Sequence, residues 1–155
     1  MEEQERKIIE EHLRIEKRFK SGANWFFWVA GLSVINSIIM HSGGQWGFII
    51  GLGLTQFIDG IGLELAREAG NLGIVITLIL DGLAAGIFIA FGAFARKGYN
   101  WAFIIGMIVY ALDGLIFLLA KDYIGAGFHL FALFFMYGGF KANKSLKTAE
   151  SNKSI

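Results

Sequence analysis

The sequence predicts an all-α membrane protein, a five-helix transmembrane bundle with an N-terminal amphipathic cytoplasmic helix and a duplicated helical hairpin. Three observations predict it. The 155 residues are 55% hydrophobic and only 17% charged, with a positive mean hydropathy, a balance that suits a polytopic membrane chain better than a soluble domain. The charges gather at the ends and in short connectors, leaving apolar runs at about 23–40, 44–66, 71–95, 100–120 and 123–140. At roughly 1.5 Å per residue, runs of about 18 to 25 residues cross a hydrocarbon layer about 30 Å thick. Third, the tetrapeptides Ile58-Asp59-Gly60-Ile61, Leu80-Asp81-Gly82-Leu83 and Leu112-Asp113-Gly114-Leu115 put one acid inside each of three runs. An ionisable group at the centre of a span costs on the order of 2.5 to 3.5 kcal/mol, so such acids read as sites by default.

Residues 1–21 form the amphipathic segment, with Ile8, Ile9, Leu13, Ile15 and Phe19 as an imperfect apolar stripe. Glu2 with Arg6, Glu3 with Lys7, Glu10 with Arg14 and Glu16 with Lys20 stand at i, i+4 in the favourable order. Arg14, Lys17, Arg18 and Lys20 gather where the first span begins, which favours docking on anionic lipid heads; His12 reads as a surface histidine. This charged start is wrong for a secretory signal peptide, and no cleavage is expected.

The transmembrane unit covers residues 22–140. Trp25, Phe26, Phe27 and Trp28 open the first span, and Trp46 and Trp101 open the second and fourth, as interfacial anchors. Ser33, Asn36 and Ser37 read as interhelical glue, Gln56 likewise, Glu64 as a snorkelling end residue and His41 as an interface residue. Residues 141–155, with four lysines and one glutamate, read as a disordered basic tail.

An internal repeat organises the spans. Trp46-Gly47-Phe48-Ile49-Ile50-Gly51 recurs as Trp101-Ala102-Phe103-Ile104-Ile105-Gly106, with five identities in six. Asp59-Gly60 then matches Asp113-Gly114 after a one-residue slip, and Gly92-Ala93-Phe94 matches Gly138-Gly139-Phe140. The second and third spans thus form one hairpin and the fourth and fifth its parallel copy.

Charge and length disagree on topology. Five crossings put eight basic residues inside and six outside, whereas a first or second segment that enters and leaves on one face gives twelve against two. Segment lengths favour five crossings, and the side of the C-terminus stays open.

Antiparallel hairpins place Asp59, Asp81, Asp113 and His129 at one depth, as an ion-binding cluster. Thr55 and Thr77 stand four residues before Asp59 and Asp81, and Tyr110 three before Asp113, as supporting hydroxyls. Three carboxylates in low dielectric cannot all stay ionised without a cation. Protons would make the cluster a transport-coupled relay, while a divalent cation of the Mg, Mn, Zn or Fe type suits three carboxylates and an imidazole. A purely structural role also exists, with neutral aspartic acids bonded across helices at about 0.6 kcal/mol per bond.

Other classes are set aside by absences. Without cysteine there are no disulfides or thiolate nucleophiles, and no phosphate-cradling Gly-rich loop with a lysine appears, so neither nucleic acid nor nucleotide is an expected partner. Tyr110-Ala111-Leu112-Asp113 resembles an intramembrane aspartyl-protease element only superficially, because the tyrosine is not adjacent to the acid and the family's Pro-Ala-Leu element is impossible without proline. An intramembrane hydrolase therefore ranks behind two readings. One is a transport-type protein of the cell membrane that binds a cation or protons; the other is a non-catalytic accessory subunit of a membrane complex. For so short a chain, transport calls for a homo-oligomer or a larger complex.

Overall fold

A computed structural model describes residues 2–42 and 51–153. Among them are five helices: α1 (Glu2–His41), α2 (Gly53–Ala69), α3 (Asn71–Arg96), α4 (Asn100–Leu119) and α5 (Tyr123–Lys153). Four of these, all but α2, are long and apolar enough to cross a membrane.

The amphipathic segment and the first apolar run are one continuous rod, since nothing between Lys20 and Trp25 interrupts the hydrogen-bond ladder. Glu2, Glu3 and Glu5 complement the N-terminal end of its dipole, and the Glu3–Lys7 and Glu16–Lys20 pairs close at 2.8 and 2.6 Å. The expected disordered tail is instead helical as far as Lys153. It is held because Ala142 is buried, Leu146 packs on the core, and the Asn143 amide donates to Gly98 O at 2.8 Å and Asn100 Oδ1 at 2.6 Å.

α1 packs against α2, α3 and α5, while α2 with α3 and α4 with α5 form antiparallel hairpins. Gly22 lets α1 and α5 touch, because a Cβ there would stand 2.5 Å from Gly139 Cα. Gly106 and Gly92 admit the rings of Phe26 and Phe27. Phe26 then meets Phe88, Phe91 and Phe103 with ring centroids 6.0–6.4 Å apart, the core of the α1–α3–α4 contact. The α2–α3 turn uses Gly70 at φ +59°, a conformation that disfavours side chains.

Polarity is arranged inside out. Ile79, Leu83, Leu112, Leu130 and Phe134 are all more than half exposed, whereas Ser33, Ser37, Thr55, Thr77, the three span aspartates and His129 are buried.

α2 departs most from the sequence reading. In place of a 44–66 span it begins at Gly53 and has 17 residues, about 26 Å of helix. Leu52 N donates to Ser33 Oγ at 2.7 Å, and eight residues further along α1 His41 meets Asp59, so α2 runs in the same direction as α1. α2 therefore starts within the bundle, level with Ser33 and not beyond His41, with Leu52 and Gly53 buried. Trp46 and Gly47 lie outside the described residues. Gly51 precedes α2, but its repeat counterpart Gly106 lies inside α4, so the matched hexapeptides do not end at equivalent helical positions.

This path settles which connectors share an end of the bundle. One cleft is lined by His12, Glu16, Arg96, Lys97, Asn143 and Lys147, which places the α1 start, the α3–α4 connector and the α5 end together. The α2–α3 turn beyond Arg67 and the α4–α5 turn at Lys121 lie at the opposite end. Twelve of the fourteen lysines and arginines therefore belong to the first end and two, Arg67 and Lys121, to the second.

Candidate functional site

The four expected groups separate into two centres. Asp113 and His129 form the first, where the α4–α5 hairpin meets the buried start of α2. Asp113 Oδ2 accepts from Gly53 N at 2.7 Å and Oδ1 from Leu54 N at 2.8 Å, so its carboxylate satisfies two of the N–H groups that a helix start leaves open. His129 Nε2 lies 2.9 Å from Asp113 Oδ2 and Nδ1 2.9 Å from Gly125 O. Both ring nitrogens thus face oxygen partners, which fixes the plane of the imidazole between Asp113 and Gly125. The ring is fixed by stacking on Tyr110, at 4.3 Å and 21°, and by Phe117 at 4.7 Å. Glycines make the approach possible: a Cβ at Gly53 would strike Phe117, and one at Gly114 would crowd His129 Cβ at 3.1 Å.

Asp59 and Asp81 form the second centre, between α1, α2 and α3. The Ser37 hydroxyl donates to Asp59 Oδ2 at 2.8 Å. His41 Nδ1 donates to Ser37 O at 2.9 Å and stands 3.3 Å from Asp59 Oδ1. The Asp81 carboxyl is the neighbour of Asp59 and Ser37. Yet both Asp81 oxygens, Asp59 Oδ1 and His41 Nε2 are buried without a hydrogen bond. Asp113 and His129 are saturated, whereas the second centre carries four unsatisfied polar atoms among the described residues, each costing roughly 1–3 kcal/mol if left so.

Gly53 and Leu54 contact Asp113, and Asp59 follows Gly53 by six residues, so the centres sit on levels about 9 Å apart along α2. The expected common depth fails because α2 starts inside the bundle instead of crossing it. Among the described residues no three His, Cys, Asp or Glu side chains gather as a metal cage. The supporting hydroxyls also act elsewhere. Thr55 Oγ1 donates to Leu52 O at 2.8 Å and Thr77 Oγ1 to Gly73 O at 2.9 Å, each within or next to its own helix. Thr77 packs against Gly62 instead, and the Tyr110 hydroxyl is buried without a partner.

His41 is the residue sequence reasoning missed. Its signal was spacing, since Ser33, Ser37 and His41 recur every four residues on one face of α1. Ser33, read as glue, accordingly bridges Val29 O and Leu52 N. Glu64 is exposed and paired with Arg67 at 2.7 Å, away from both centres. Comparison with known protein families, characterised proteins and solved structures returned no match for this chain.

Proposed function

We propose that this chain is a multi-pass integral membrane protein of transport type in which the Asp59–Asp81 pair, flanked by Ser37 and His41, takes up and releases protons. The observation that carries the reading is Asp81, whose two oxygens are buried without a hydrogen bond beside Ser37 and a second carboxyl. Two such groups in a low dielectric repel one another when both are charged, so a proton between them is the least costly solution. His41 Nε2, buried and unbonded, supplies an acceptor one step nearer the end of the bundle that holds Arg67. Asp113 and His129 have the complementary task of fixing the start of α2, and with it the register of Asp59.

The apolar exterior supports membrane insertion, because Ile, Leu and Phe side chains there need an apolar solvent. The charge distribution supports an orientation with both chain ends inside, four crossings and α2 as a re-entrant half-helix. The aqueous route for protons is completed, in this reading, within a homo-oligomer or larger complex.

Infrared difference spectra of the bilayer-reconstituted protein across a pH titration test the site. A titrating carboxylic-acid C=O band is expected, and Asp81→Asn should remove it. A band untouched by Asp81→Asn and Asp59→Asn alike refutes the assignment. Proteoliposomes with an internal pH dye test the role: acid-driven proton entry lost in both variants supports transport, whereas a proton-tight but correctly folded wild type returns the reading to an accessory subunit.

A further inference from the structure

Where α1 and α5 cross at Gly22 and Gly139, two adjoining clefts of about 620 and 380 Å³ open on the basic end of the bundle. They share Lys17, Ser21 and Phe135 as a common ridge. We propose that this double cleft is a specific site for an anionic phospholipid of the inner leaflet, an inference that rests on the membrane reading but not on the proton site.

Charge, shape and depth argue together. Arg14, Lys17, Arg18 and Ser21 fall at i, i+3, i+4 and i+7, so three cations and a hydroxyl share one face of α1. Among the described residues no carboxylate pairs with any of these three cations. Glu16, the one acid lining the clefts, is already taken by Lys20 at 2.6 Å. The guanidinium of Arg18 lies over Gly138, where a Cβ would come 3.2 Å from its Nε, so the floor of the smaller cleft exists because residue 138 lacks a side chain.

Below the cations the walls turn apolar within one to two turns. Trp25 stacks on Phe135 at 5.3 Å and meets Phe131 edge-on at 5.6 Å, a rigid surface for acyl chains. Phosphate oxygens would thus meet Arg14, Lys17 and Arg18 at headgroup level, with the chains running along the α5 aromatic face. A soluble phosphate would use the cations alone and leave the aromatic walls unused.

The full chain in neutral detergent, titrated with phosphatidylglycerol, phosphatidylcholine and inorganic phosphate while its thermal unfolding is followed, tests the site. Phosphatidylglycerol is expected to bind about tenfold or more tighter than phosphatidylcholine, with inorganic phosphate near inert. Arg14→Gln/Arg18→Gln should weaken phosphatidylglycerol binding about thirtyfold, at the scale of each basic contact with an anionic surface. Gly138→Leu, which keeps every charge but fills the floor, should weaken it about tenfold. Equal affinity for the two lipids, or unchanged binding by the double Gln variant, overturns the proposal. Full binding by Gly138→Leu reduces the effect to surface adsorption and overturns the site, and phosphate matching the lipid makes the ligand a soluble anion. Release of the chain from native membranes by alkaline carbonate would instead refute the membrane reading beneath it.

Discussion

Replacing Asp113 by Ala removes the acceptor for Gly53 N and Leu54 N, at 2.7 and 2.8 Å, and the partner of His129 Nε2 at 2.9 Å. One buried and one part-buried backbone donor left open cost roughly 1–2 kcal/mol each within the range for orphaned groups. Loss of the carboxylate from the positive end of α2 and from His129 adds about 1 kcal/mol, tempered by the modest worth of side-chain bonds within membranes. The expected destabilisation is about 3–5 kcal/mol, with Asp113→Asn between that and wild type, since its one carbonyl oxygen still serves one donor. Equilibrium unfolding in mixed micelles measures the loss, and hydrogen exchange at Gly53 and Leu54 locates it. Asp113→Ala within about 0.5 kcal/mol of wild type, with both amides still protected, would refute the claim that this side chain holds the start of α2.

Two further outcomes follow from packing and path. Gly22→Leu should destabilise by about 1–3 kcal/mol or separate α1 from α5, because the new Cβ would meet Gly139 backbone, while Gly60→Ala, with nothing within 4 Å, should be neutral or gain up to about 1 kcal/mol of helix propensity in the same unfolding assay. Because the chain has no cysteine, single replacements report sidedness cleanly: Lys97→Cys and Lys147→Cys should react with an impermeant thiol reagent from one face of oriented vesicles and Lys121→Cys from the other, and labelling of Lys97 and Lys121 from one face would refute the described path.

Asp81→Asn separates the two centres in the same assays, since it removes no hydrogen bond of the kind Asp113 makes. Its protein is expected to be at least as stable as wild type while losing the titrating carboxyl.

Periodicity and composition alone determined an all-helical chain with apolar runs, the hairpins around Gly70 and Lys121, and the burial of Asp59, Asp81, Asp113 and His129. Those features are local, because a run of apolar residues and a glycine at a turn act through their own backbone and their own transfer energy. The two topologies that charge and length left open were one sequence with two readings, and the twelve-to-two distribution was already countable. Only the tertiary structure decided where α2 begins, at Gly53 against Asp113. That start depends on a carboxylate sixty residues away, which replaces hydrogen bonds missing at a buried helix start. The same displacement of α2 split the acids into two levels and brought His41 to Asp59, contacts no spacing rule encodes since they join helices whose relative register is set by packing.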